Sequence, residues 1–81
     1  MALYPVQGIF DGDFLVELVA VDTEDPMTTV GAKIAHHAVG RRVEAQDRPI
    51  EVRLRGTVLD PDATVITAGV APLDVLVAGY A

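Results

Sequence analysis

The 81-residue chain predicts an α+β domain in which one main helix lies across a mixed sheet, and three observations carry that expectation. Two apolar runs, residues 4–10 and 14–21, are joined by Asp11-Gly12-Asp13, where Gly supplies the positive φ that a tight hairpin turn needs. Met27, Val30, Ile34 and Ala38 then recur at helical spacing between Pro26 and Gly40. Finally, Ile50-Glu51-Val52-Arg53-Leu54-Arg55 alternates apolar with charged residues, the period-two mark of a strand with one dry face.

Taken in order, the first run carries Pro5 near its start, a position that sheet hydrogen bonding tolerates at an edge or strand end. After the second run, Asp25 is placed to cap a helix whose first residue is Pro26, with acids nearby to complement the positive helix end. The helix is expected over residues 26–39, with Gly40 as its stop. Residues 41–49 are polar and turn-like. Arg53 and Arg55 of the third strand should point away from the core. Gly56 and Asp60-Pro61-Asp62 punctuate the return, residues 64–70 resemble a short helical turn, and Val75-Leu76-Val77 forms a last brief strand. The order β-β-α-β-β-β, with the first and last strands side by side at the centre, is a β-grasp.

Composition bounds the chemistry. A chain of this size makes one domain, here residues 1–81, and buries only roughly 60–65% of its unfolded surface. It has no Cys, which removes disulfides, thiolate zinc sites, iron–sulfur ligation and Cys nucleophiles, and no Ser nucleophile either. Met1-Ala2-Leu3-Tyr4-Pro5 has no basic leader region and no window is apolar enough to span a membrane, so the expectation is a soluble cytoplasmic protein. A net charge of −6 disfavours nucleic acid and anionic lipid. All six cations (Lys33, Arg41, Arg42, Arg48, Arg53, Arg55) lie in the middle of the chain, whereas residues 11–25 hold half of the acids. Such polarity orients docking.

Strand two is the most informative segment. Its even positions, Phe14, Val16, Leu18 and Ala20, project to one side and its odd positions, Leu15, Val19 and Val21, to the other, with Glu17 interrupting the odd side. The uncharged even side is expected to face the core. Leu15, Val19 and Val21 are then left outside, where burial against a partner would contribute roughly 1.5–3 kcal/mol each before the entropy of association.

Other constellations carry less. His36 and His37 are adjacent on a helix and diverge by ~100°, unlike metal ligands three or four apart. The helix has no Glu, so it lacks the inward Glu-x-x-His pattern of a di-iron carboxylate site. Asp11, Asp13, Asp22, Glu24 and Asp25 fall at a turn and a helix start, where local structure accounts for them. Arg41, Arg42, Arg53 and Arg55 are either a solvated stripe or interface residues, Arg being enriched at interfaces for its planar, bidentate hydrogen bonding.

Two resemblances sharpen this reading. Thr64-Val65, Val70, Val75 and Val77 resemble the closing pattern of ubiquitin, and Val30-Gly31-Ala32-Lys33-Ile34 resembles its helix, implying a ubiquitin-like β-grasp. Over most of the chain, Asp13-Phe14-Leu15-Val16, Leu18-Val19, Val21-Asp22 and the run from Ala35-His36-His37-Ala38 through Val39-Gly40-Arg41-Arg42-Val43 resemble the γ subunits of multicomponent monooxygenase hydroxylases of the toluene-4-monooxygenase, toluene-o-xylene and alkene (isoprene) type. The resemblance implies a noncatalytic γ subunit in a two-copy αβγ assembly, with a di-iron centre in the α subunit and aromatic hydrocarbons or small alkenes as substrates. It also favours a structural or docking role for Arg41 and Arg42. A ubiquitin-like modifier would need a terminal diglycine, which Ala78-Gly79-Tyr80-Ala81 does not supply, and a β-grasp ferredoxin would need Cys ligands. A free-standing interaction module binding an acidic protein partner through the arginines is the other reading the sequence supports.

Overall fold

The computed structural model describes residues 3–36, 38–40 and 42–81, with Tyr4 described by its backbone alone. Strands β1 (Leu3–Phe10) and β2 (Glu17–Asp22) precede the helix α1 (Met27–His36), and β3 (Ile50–Leu54), β4 (Thr57–Val58) and β5 (Val75–Tyr80) follow it. The sheet order is β2-β1-β5-β3-β4. Strands β1 and β5 pair in parallel at its centre, Gln7 opposite Val75, and every other pairing is antiparallel. This is the expected β-grasp.

Helix α1 covers one face of the sheet. Its stripe Met27, Val30, Ile34 and Ala35 is buried against Val6, Phe10, Val52, Leu76 and Ala78, each largely or wholly shielded from water. Full burial of Met27, Val30 and Ile34 contributes roughly 1.5–3 kcal/mol apiece. Gly31 lets the helix close on β3, because a Cβ there would stand 3.1 Å from Ile50 Cγ2 and 3.2 Å from Val52 Cγ2. Phe10 and Tyr80 meet edge to face at 5.3 Å, tying the ends of β1 and β5 together.

Three expectations change. The first connection is longer than a tight hairpin: residues 11–16 lie outside both strands, and pairing begins only at Gly8–Glu17. The helix is shorter than residues 26–39, and Asp25 does not cap it. The first helical amides, Met27 and Thr28, donate instead to the carbonyls of Ala63 and Pro61, at 2.9 and 3.3 Å. The Asp25 carboxylate turns back to accept the Asp22 amide (3.0 Å) and the Lys33 ammonium (2.6 Å).

The third change is the face of β2. Val19 pairs with Val6, which is fully buried, so register places the odd residues beneath the helix. Val19 and Val21 are buried, whereas Leu18 and Ala20 are exposed. Glu17, whose charge argued against this parity, sits at the strand start, 3.8 Å from Arg42 Nη2. A carboxylate at a strand end beside a guanidinium does not forbid the residues after it from entering the core.

Candidate docking surface

The open face of the sheet follows from this register. In a strand, alternate residues share a side, and directly paired residues on neighbouring strands share it too. Leu3, Pro5, Gln7 and Ile9 of β1, Leu18 and Ala20 of β2, and Val75 and Val77 of β5 therefore look away from α1. Leu3 is 70% exposed, Leu18 68% and Val75 48%. Asp22, paired with Leu3, places one charge at the edge of this face, and the eight positions themselves hold no lysine, arginine, aspartate or glutamate. A charge-free apolar centre on an exposed sheet is how the core of a protein–protein interface is built.

Ion pairs border this face. Arg53 of β3 reaches the Asp11 carboxylate, whose close approach requires Gly79, since any Cβ there would collide with it. Arg53 Nε is covered and has no hydrogen-bond partner among the described residues, Glu51 standing 3.8 Å away. Arg55 stands 3.8 Å from Asp74 and is 73% exposed. It occupies the two-residue turn between β3 and β4 with φ 50°, followed by Gly56 at φ 81°, so both central residues of the turn are left-handed.

Beyond the strand, Phe14, Leu15 and Val16 are all exposed. Asp13 anchors them. Its Oδ1 accepts the amides of Phe14 (2.8 Å) and Leu15 (3.4 Å), and Arg42 donates to both of its oxygens, Nε at 2.7 Å and Nη2 at 3.1 Å. The Asp13 side chain is 1% exposed. The hydrogen bond from Arg42 holds its carboxyl below the usual value of 3.8, and Asp13 in turn raises the Arg42 pKa.

Of the residues singled out from the sequence, Leu15 lies at the surface, and Arg55 is exposed beside Asp74. Val19 and Val21 are corrected: both are sealed in the chain's own core. Arg42 and Arg53 are engaged within the chain, and Arg41 and His37 lie outside the described residues. Phe14, Val16, Leu18, Leu3 and Val75 take the place of the two buried valines. The signal for them was Asp22, which continues the even row of β2 with a charge, whereas the odd row runs on to the buried Thr23.

No group of three or more His, Cys, Asp or Glu able to hold a metal occurs among the described residues. His36 is exposed, and the four aspartates of residues 11–25 are taken up separately: Asp11 by Arg53, Asp13 by Arg42, Asp22 by the Glu24 amide and Asp25 by Lys33. A groove of about 200 Å³ between the start of α1 and β3 is walled mainly by Met27, Ile50, Val52, Leu59 and Pro61, and no cluster of acid–base groups converges on it. Among the described residues, no helix is long and apolar enough to cross a membrane.

Fold and surface together define a ubiquitin-like domain of the β-grasp class, whose prominent feature is an open apolar sheet face. The ubiquitin-like domain of an Arabidopsis thaliana protein shares the fold with a TM-score of 0.71 at 16% identity, covering 99% of this chain and 79% of that one. Residues 3–80 match the toluene-4-monooxygenase system protein B (TmoB) family, and the chain belongs to it. It is 42% identical over 78 residues to the γ subunit of the hydroxylase component of the toluene-4-monooxygenase system of Ectopseudomonas mendocina, covering 94% of this chain and 93% of that one. It is 45% identical over 67 residues to the γ subunit of the oxygenase component of the alkene monooxygenase system of Xanthobacter autotrophicus, covering 80% and 76%. A chain in the solved toluene 4-monooxygenase HD complex with the inhibitor 4-bromobenzoate matches with a TM-score of 0.93 at 34% identity, over 99% of this chain and 100% of that chain.

Proposed function

We propose that this chain is the γ subunit of a hydrocarbon monooxygenase hydroxylase and acts as a single docking domain spanning residues 1–81. It performs no chemistry itself. It binds the large subunit of a two-copy αβγ assembly in the cytoplasm, and the α subunit holds the di-iron centre that oxidises aromatic hydrocarbons or small alkenes. The observation that carries this reading is the outer face of β1, β2 and β5, apolar at its centre and charged only at its edge, in a member of this family. Exposed apolar surface of that extent in so small a domain favours a permanent partner. The competing module that binds an acidic protein through its arginines has less support, because Arg42 and Arg53 are already paired within the chain.

Co-expression with tagged α and β subunits tests this. The chain should co-purify stoichiometrically with them, and iron should follow the α subunit, with none retained by the separated chain. An active hydroxylase that assembles without the chain, while the chain elutes as a free monomer, would refute the proposal.

A further inference from the structure

We infer that Phe14, with Leu15 and Val16 beside it, is the anchor that seats in an uncharged apolar cleft of the large hydroxylase subunit, and that Arg42 is the positioning residue that holds the anchor out. This rests on the γ-subunit reading above and adds to it the contact that dominates docking.

Three consecutive large apolar residues stand in water, Phe14 at 77%, Leu15 at 39% and Val16 at 54% exposed. They are also held. Asp13 accepts the amides of the first two, and the two-pronged bond from Arg42 fixes that carboxylate to the segment after the helix, 29 positions along the chain. A segment ordered before binding loses less entropy on docking, which is how a small contact becomes a strong one.

The flanking charges point to a dry contact. Each acid around the tip has a cation from elsewhere in the fold: Asp11 meets Arg53, Asp13 meets Arg42, and Glu17 lies 3.8 Å from Arg42 Nη2. Burying the tip therefore strands no bare carboxylate, a cost that otherwise opposes association. Val16 and Leu18, both exposed, lead along the chain from the tip to the open face of β2. A second copy of this chain is a poor occupant, because each copy carries a net charge of −6. A cleft with little charge of its own on a different subunit suits the tip.

The test is competitive incorporation. The tagged large subunit is co-expressed with equal amounts of wild-type and variant chain, and mass spectrometry reads their ratio in the purified complex and in the soluble pool. Phe14→Ala should be depleted in the complex at least ~30-fold, the scale of an aromatic hot spot, and melt as wild type does. Ile66→Ala, also at an exposed apolar position, should incorporate at parity. Arg42→Gln should be depleted, yet add little further depletion in the Phe14→Ala background, which a general loss of stability would not produce. Phe14→Ala at parity beside incorporated wild type would overturn the inference and leave the γ-subunit reading intact. Absence of the wild-type chain itself from the complex would overturn that reading. A Phe14-dependent dimer of the isolated chain in sedimentation would overturn the choice of occupant.

Discussion

Replacing Val21 with Ala removes two carbons from a site with no solvent exposure, whereas Leu18→Ala removes three from a side chain that is 68% exposed. Lost transfer free energy at Val21 comes to ~1.6 kcal/mol, at ~0.8 kcal/mol per buried carbon. A residual cavity of roughly 50 Å³ adds about 1 kcal/mol, giving a cost of roughly 2–3 kcal/mol. For a domain of this length that lowers the melting temperature by roughly 10–20 °C. Leu18→Ala should stay within about 0.5 kcal/mol of wild type. Far-UV circular dichroism melts of the two variants, supported by urea titrations with unchanged slope, measure the difference directly. Equal losses, or a larger loss at Leu18, would refute the parity of β2 and with it the apolar outer face.

Further outcomes follow from other parts of the fold. Leu76→Ala on the central strand β5, where the side chain is fully buried, should cost ~2–5 kcal/mol and leave little folded protein at 37 °C by circular dichroism. Arg55→Asn should stabilise by up to ~1 kcal/mol in urea titration, since Asn tolerates the left-handed conformation that Arg55 adopts. The Arg55–Asp74 pair lost is long and exposed. Asp13 is held below 3.8 by its hydrogen bond from Arg42. Burial pushes Asp25 upward, but the hydrogen bonds from Lys33 and the Asp22 amide, with the Lys33 charge, bring it below the same value. Because the unfolded chain takes up these protons first, stability should be full above the usual carboxylate range and fall as pH drops through the folded values. Carboxyl NMR titration should find both midpoints below 3.8, and Asp13→Asn should flatten the acid limb of the stability curve.

The β-grasp was legible because its evidence is local and periodic. The stripe Met27, Val30, Ile34 and the alternation over residues 50–54 each fix an element without knowledge of its neighbours. The face of β2 was harder, since both of its sides are apolar and the choice belongs to β1: Val6 is buried, and pairing carries Val19 in with it. The lone charge of Glu17 pointed the other way because the arginine beside it comes from position 42. Long-range ion pairs also explain why Arg42 and Arg53 looked available to a partner. Sequence marks a guanidinium as a potential interface group, yet Asp13 and Asp11 claim these two from 29 and 42 positions away. Asp25 follows the same logic, drawn from the helix end by Lys33 while the loop at residues 61–63 satisfies the amides it was expected to cap.

The parallel pairing of Gln7 with Val75 joins residues far apart in sequence at the middle of the sheet. Because β5 lies between β1 and β3 in the sheet, neither of those strands has its inner edge paired until β5 is in place. Closure of so long a loop is a late event. The outer face, to which Val75 and Val77 contribute, is therefore complete only when that closure has occurred, and a partner that reads it reads a fully folded sheet.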